Sequence, residues 1–253
     1  MKIVRIDWRE KNEDFEFVPL GDLHIGSKFT DYRFLSATFS YIADNGLYVL
    51  GMGDYLQFET KTSVGDKFEC DLSNEEQIDW FTKRAKKVKL IGLLSGNHDG
   101  GRSSKDASVN IVKVMADNLE TEFLEDFGII VVQMKNISYT ICAWHGHGSA
   151  STDYGVYKKM LAVRDKKFRD ADLYLQAHYH RFKKFPEQVF FALPRNKHKI
   201  IMEKQYFFDT GSFQKYSTYA DRFNLAPVEL GCWKFTLKNS KRKEFFFEKL
   251  LDF

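Results

Sequence analysis

The sequence predicts an α/β fold in which sheets pack on each other with helices outside. Three observations predict it. Apolar strand candidates alternate with amphipathic helix candidates as far as residue 176, and from about residue 186 the chain turns strand-rich. Several strand candidates also run straight into a burst of Gly, Asp, Asn and His. Open sheets carry polar groups in this way, at the carboxyl ends of their strands.

The elements follow in order. Lys2–Asp7 alternates and Phe15–Leu20 is mostly apolar, so both read as strands. Residues 31–44 carry Leu35, Phe39 and Ile42 at helical spacing, and Asn45-Gly46 stops that helix. Leu47–Gly51 is a short buried strand. Ser73 and Glu76 form a capping box, and the helix it opens presents Ile78, Phe81, Ala85 and Val88 on one face. Leu90–Ser95 is again a buried strand, and Val109–Leu119 is a helix with Val112, Met115 and Leu119 inward. Ser138–Trp144 is a strand, Tyr154–Val163 a helix and Asp172–Gln176 a strand. The runs VFFALP, KIIMEKQYFF, CWKFTL and KEFFFEKL then supply antiparallel strands at the C-terminal end. No repeat or linker interrupts residues 1–253, which read as a single domain.

Composition supports a folded chain. Hydrophobic residues are 43% and aromatics 16%, with 24 Phe, which argues against disorder. A net charge of +3 permits a phosphate-bearing partner without demanding one. Cys70, Cys142 and Cys232 are odd in number and far apart, so a disulfide framework is not expected. MKIVRIDWRE lacks the apolar stretch of a signal peptide, and no run is long enough to span a membrane. The expectation is a cytoplasmic protein without membrane contact, of unspecified oligomeric state.

The polar bursts carry the chemistry. They are Gly21–Gly26 (GDLHIG), Gly51–Asp54 (GMGD), Gly96–Asp99 (GNHD), His145–His147 (HGH) and His178–His180 (HYH). Six of the 7 histidines lie in them. Brought together, Asp22, His24, Asp54, Asn97, His145, His178 and His180 offer carboxylate, amide and imidazole donors without a thiolate, a set suited to divalent metals such as Mn, Fe or Zn. Seven donors exceed one ordinary site and suit two metals about 3.5–4 Å apart that share a carboxylate.

DLHIG, GD, GNHD, HGH and HxH, in that order, resemble the calcineurin-like metallophosphoesterases, and the resemblance runs from residue 15 to about residue 215. It implies a four-layer αββα sandwich of two mixed sheets flanked by helices. By the same resemblance Asp22, His24 and His180 serve the first metal, Asn97, His145 and His178 the second, and Asp54 bridges them. His98 would face the scissile phosphate, and Asp99 would orient His98 or else cap the turn that follows. The implied reaction is phosphodiester hydrolysis in nucleic acid or nucleotides, with two divalent ions, manganese first and iron, zinc or nickel as alternatives. A metal-bridged hydroxide attacks phosphorus in line and His98 assists the leaving oxygen.

DLHIG and the basic segment after the last motif are similar to the DNA-repair nuclease branch of that family, so DNA or RNA is the expected partner. The phosphomonoesterase alternative is weaker, because GDYLQFE and GNHDGG lack the arginines of the phosphoprotein-phosphatase branch. A non-catalytic scaffold is the third reading. Two departures stand out: Ala177 replaces the Gly of the usual GHxH, and Tyr55, Leu56 and Gln57 follow GD where an acidic or polar residue is usual. Arg102, Lys105 and Arg181 are candidate phosphate contacts, and for Arg102 and Lys105 a solvated loop explains them equally well. The basic–aromatic stretch from Arg181 to Lys199 fits a nucleic-acid strand or an ordinary hairpin with Phe inward. His147 reads as structural or as support for His145, His198 as solvated, and Asp31, Asp44 and Asp172 as cap or turn residues.

Overall fold

Helices α1 (Tyr32–Asp44), α2 (Asn74–Ala85) and α4 (Ile111–Asn118) cover one side of a sheet. The structure is a computed structural model that describes residues 1–61, 63, 69–192, 200–216 and 229–251. The sheet beneath these helices has the order β11-β10-β2-β3-β4, built from β2 (Phe15–Leu20), β3 (Tyr48–Gly51), β4 (Lys89–Leu93), β10 (Trp233–Leu237) and β11 (Phe245–Lys249). A second sheet has the order β1-β5-β6-β7-β9-β8. Its strands are β1 (Lys2–Asp7), β5 (Phe127–Gln133), β6 (Ser138–Trp144), β7 (Leu173–Gln176), β8 (Phe182–Ala192) and β9 (Ile201–Thr210).

Three apolar clusters define the layers. Leu35, Phe39, Ile42, Phe81, Ala85, Val112 and Met115 meet Val18, Leu20 and Val49 under the helices. Phe15, Phe17, Leu50 and Ile91 of the first sheet meet Ile130, Ile141, Leu173, Leu175 and Phe208 of the second. On the far side Val156, Tyr157 and Met160 of α5 (Asp153–Lys166) pack on Cys142, Trp144, Tyr174 and Phe207. The order is helices, sheet, sheet, helix: the expected four-layer sandwich of two mixed sheets. Each strand serves two clusters because successive side chains point to opposite faces, as Leu173 and Tyr174 do.

Local signals account for the element ends. Ser73 and Glu76 form the capping box, with Glu76 Oε2 accepting from the Ser73 amide at 2.8 Å. Asp31 caps α1 by accepting from the Phe34 amide at 3.0 Å. Asp172, expected as a cap or turn residue, instead ties the start of β7 to β6, its carboxylate accepting from the Thr140 amide at 2.8 Å. On α2 the inward face differs from expectation: Phe81 and Ala85 are buried, Ile78 only partly so, Gln77 is fully buried, and Val88 lies beyond the helix end, partly buried. Strand β5 is an element that the sequence reading leaves unassigned. The two C-terminal hairpins are antiparallel as expected, but they part company: β8–β9 extends the second sheet through β7, and β10–β11 extends the first through β2. The cysteines are free, as expected. Among the described residues no helix is long and apolar enough to cross a membrane.

Candidate metal centre

Strands β2, β3 and β4 run parallel, as do β6 and β7. Their carboxyl ends therefore present residues 21–26, 52–58, 94–101, 145–148 and 177–181 together. Backbone bonds zip the first two loops: the Asp22 amide donates to Gly53 O at 3.0 Å and the His24 amide to Asp54 O at 3.1 Å. Gly96 shows how tightly they meet, since a Cβ there would lie 2.1 Å from Asp54 N. Among the described residues nine non-glycine residues have positive φ, and five of them are Asp22, His24, Asp54, His178 and His180. Side chains other than Gly adopt that conformation at a cost and hold it where surrounding structure imposes it.

The seven donors converge. Ligand atoms of Asp22, His24 and His180 lie within 4.8 Å of one another, and so do those of Asp54, His145 and His178. Asp54 stands between the two groups, with Oδ2 3.2 Å from His145 Nε2 and 3.9 Å from His24 Nε2. Asn97 Oδ1 joins the second group, 3.0 Å from His145 Nε2 and 2.8 Å from His178 Nδ1. Protein acceptors engage the other ring nitrogens: His24 Nδ1 at Gln57 Oε1 (3.0 Å), His145 Nδ1 at Met52 O (2.8 Å) and His178 Nε2 at Gly148 O (2.8 Å). Each ring thus donates outward and turns its other nitrogen inward, the usual posture of a metal-ligating histidine.

The charges are those of a site that wants a cation. Burial, reinforced by Asp54, pushes Asp22 up to about 8. Burial pulls His145 down, but Asp54 and Asp22 outweigh it and raise it to about 10. Burial also holds His24 at about 3 and His180 well below the usual imidazole range. Protons on Asp22 and His145 thus compensate clustered negative charge that a divalent ion would neutralise instead. Asp22 Oδ1 is buried and has no hydrogen to accept. That orphaned oxygen and the oxygen–imidazole donor set fit a hard or borderline divalent cation.

His98 belongs to the same space, its ring centroid 4.6 Å from that of His24. Its backbone amide donates to Asp54 Oδ1 at 2.8 Å, while its Nδ1 has no partner. Burial, helped by Arg102, outweighs Asp54 and holds His98 at about 4.

The expected pairing of Asp99 with His98 is corrected. Residues 97–101 form a π turn, and it sends neighbouring side chains apart. Asp99 accepts instead from the Tyr55 amide at 2.8 Å, the Gly96 amide at 3.1 Å and the Gly100 amide at 2.6 Å. It ties the loop after β3 to the loop after β4.

Of the expected phosphate contacts, Arg102 donates to Gln57 O at 2.7 Å and pairs with Glu59 at 3.3 Å, and Arg181 pairs with Asp153 at 2.7 Å. Both guanidinium groups turn onto protein acceptors. Lys105 is exposed on α3 (Arg102–Ala107). His147 is exposed, and its carbonyl accepts from Lys159 and Tyr179. Ala177 is fully buried and keeps an ordinary φ, so the methyl group that departs from GHxH is accommodated. His198, Arg195 and Lys197 lie outside the described residues.

Two residues at the centre escape the sequence reading. Gln57 supports His24, and the only signal was its position three residues after Asp54. Asp209 is fully buried and pushed well up by burial and by Asp22, and its Oδ1 accepts from the Arg181 amide at 3.2 Å. Its signal is the DTGS burst at the end of β9.

No family model matches the sequence, and no curated protein matches it. Solved structures give distant likenesses. A provisionally assigned 5′-nucleotidase from Staphylococcus aureus is 10% identical with a TM-score of 0.47, over 93% of this chain and 53% of that one. This chain therefore spans about half the length of that protein. A protein from Streptococcus pneumoniae described as a predicted phosphoesterase is 12% identical with a TM-score of 0.40, over 94% of this chain and 90% of that one. What the site does is argued below from its own residues.

Proposed function

We propose that this chain is a dinuclear metal-dependent phosphoesterase of the calcineurin-like metallophosphoesterase type, acting on phosphodiester bonds in nucleic acid or nucleotides. One observation carries the reading: Asp54 stands between two groups of inward-facing donors, Asp22, His24 and His180 on one side and Asn97, His145 and His178 on the other. These residues would hold two divalent ions, of which manganese suits the donor set. When bound, such ions supply Lewis acidity and a nucleophile available at neutral pH.

The chain's own part in the reaction lies with His98. Held at about 4, it meets substrate as a neutral imidazole with one N–H to give. That N–H would give a hydrogen bond to the leaving oxygen and stabilise the charge that develops there, the proton staying on the ring. Asp54, anchored by the His98 amide, keeps the turn bearing that ring against the donor cluster.

The preference for a diester is supported by what Arg102 and Arg181 do. A monoester dianion is bound best by a free guanidinium fork, and each of these already donates to protein acceptors, Arg102 through Nη1 to Gln57 O and Glu59 and Arg181 to Asp153. The cations Lys183 and Lys184 are likewise paired, with Asp153 and Glu187. A groove for a long nucleic-acid strand therefore draws less support from this segment than its composition suggests. The test is turnover of a bis-aryl phosphodiester against an aryl phosphomonoester, by protein loaded with manganese. Faster diester turnover is expected. Faster monoester turnover would make the chain a phosphomonoesterase, and no turnover of either with both ions bound would make it a scaffold.

A further inference from the structure

We propose that Gln57, Glu59 and Arg102 form a relay that holds His24 with Nε2 turned inward, and that they are positioning residues of the centre. This rests on the metal reading above and assigns roles to three residues that the donor set does not include.

The geometry is continuous. Gln57 Oε1 lies 3.0 Å from His24 Nδ1. Which end of the Gln57 amide faces the ring is decided by its other end: Gln57 Nε2 donates to Glu59 Oε1 at 2.9 Å. The amide nitrogen faces a carboxylate, so the amide oxygen must face His24. A carbonyl oxygen can only accept, so the proton of the neutral imidazole sits on Nδ1 and the Nε2 lone pair is free.

Arg102 fixes the far end, donating to Gln57 O at 2.7 Å and pairing with Glu59 Oε1 at 3.3 Å. This is a built site. The side chains of Arg102 and Glu59 are 17% and 13% exposed, and His24 is 1% exposed. Helix α2 braces the segment between them. Buried Gln77 accepts from the Phe58 amide at 2.9 Å, and Asn74 donates to Glu59 O at 2.9 Å. Phe58 is held there at φ 44°, a conformation that such a side chain adopts only when its surroundings impose it.

The relay also joins the two halves of the centre. Arg102 directly follows the turn that carries Asn97 and His98, while Gln57 reaches His24 on the other half. A shift of either loop is therefore felt by the other.

Manganese titration of metal-free protein, followed by calorimetry, separates the outcomes. Wild-type protein should bind two equivalents. Gln57→Leu should keep one and weaken the other by about 10- to 100-fold. Arg102→Gln should weaken that same equivalent by a smaller factor, with KM for a bis-aryl phosphodiester unchanged at saturating manganese. Glu59→Gln, which keeps an acceptor for the Gln57 amide, should stay close to wild type, whereas Glu59→Leu should not.

Two results overturn the relay: Gln57→Leu binding both ions as tightly as wild type, or Arg102→Gln raising KM with both affinities intact. The second would return Arg102 to substrate contact. Arg102→Gln, remote from the ring, carries the test if Gln57→Leu does not fold. Failure of the metal reading looks different: wild-type protein then takes up no second ion, and the relay falls with it.

Discussion

His24 Nε2 and His180 Nε2 lie 3.0 Å apart. His24 has committed its proton to Gln57, so its inward nitrogen offers only a lone pair. His180 points its own Nε2 at the same spot, 3.7 Å from the orphaned Asp22 Oδ1. Nitrogen and oxygen donors held this close, in a buried place, are stabilised by a cation. Manganese should therefore raise the thermal midpoint, and a chelator should lower it. An ion at 100 times its Kd adds about 2.7 kcal/mol per site if it does not bind the unfolded chain. The gain should shrink as pH falls, because protons compete for the imidazoles and carboxylates. Unfolding scans with manganese and with chelator, at pH 8 and pH 6, check this. A midpoint indifferent to both additions would remove the metal centre from consideration.

Asp54 should be the one donor whose change affects both ions. Its Oδ2 approaches His145 and His24 on opposite sides, and its Oδ1 is occupied by the His98 amide. Asp54→Asn keeps size and shape but removes the charge and puts an amide hydrogen where an oxygen was. Metal analysis of the purified variant should show both equivalents lost or greatly weakened. Two full equivalents would disprove the bridging assignment.

The site was more legible in the sequence than its supports were, for a physical reason. Asp22, Asp54, Asn97, His145 and His178 each follow a strand whose carboxyl end faces the centre, so the strand-then-burst pattern marks them. Strand β5 carries no such mark. It pairs antiparallel with β6, its carboxyl end lies on the opposite side, and nothing polar is needed there. Asp99 departs from the role that the resemblance implies for it. In the π turn its carboxylate serves three backbone amides, and no side-chain pattern shows where backbone amides will point. Gln57 was visible as the third residue after Asp54, in a stretch that departs from the motif, and no pattern in the sequence shows that it reaches His24. The hairpins β8–β9 and β10–β11 were legible as strands, but which sheet each would join depends on long-range pairing.

The cap on α1 gives a prediction about acid stability that is independent of the centre. Partial burial works against the charge on Asp31, but the Phe34 amide and the Lys215 ammonium outweigh it and hold its carboxyl below the ordinary 3.8. A carboxylate with a depressed pKa stabilises the fold fully above its unfolded value. That contribution is lost as pH falls through the folded value. Asp31→Ala should therefore cost about 1 kcal/mol near neutral pH, and the gap from wild type should narrow below about pH 4. Urea unfolding at pH 7 and pH 3.5 measures both gaps. A gap that widens in acid would contradict the assignment of Asp31 as a charged cap.

His98 gives the most direct test of the chemistry, because its backbone and its ring do different things. The backbone amide donates to Asp54 Oδ1 and survives replacement of the side chain. His98→Ala should therefore retain its metal content. The ring is the only part lost, and with it the hydrogen offered to the leaving oxygen, so turnover should fall by about 100-fold or more. The defect should depend on the leaving group: large for an alkyl alcohol, whose oxygen gathers more charge as it leaves and gains more from a hydrogen bond, and small for a nitrophenol, which leaves as a stable anion. Because His98 is held at about 4, its contribution should not titrate between pH 6 and pH 8, and the ratio of wild-type to variant rates should stay flat there. Rates for a series of aryl and alkyl diesters, with metal analysis of the same samples, check all three expectations. An equal defect across the series would show that His98 positions the phosphate instead of assisting departure.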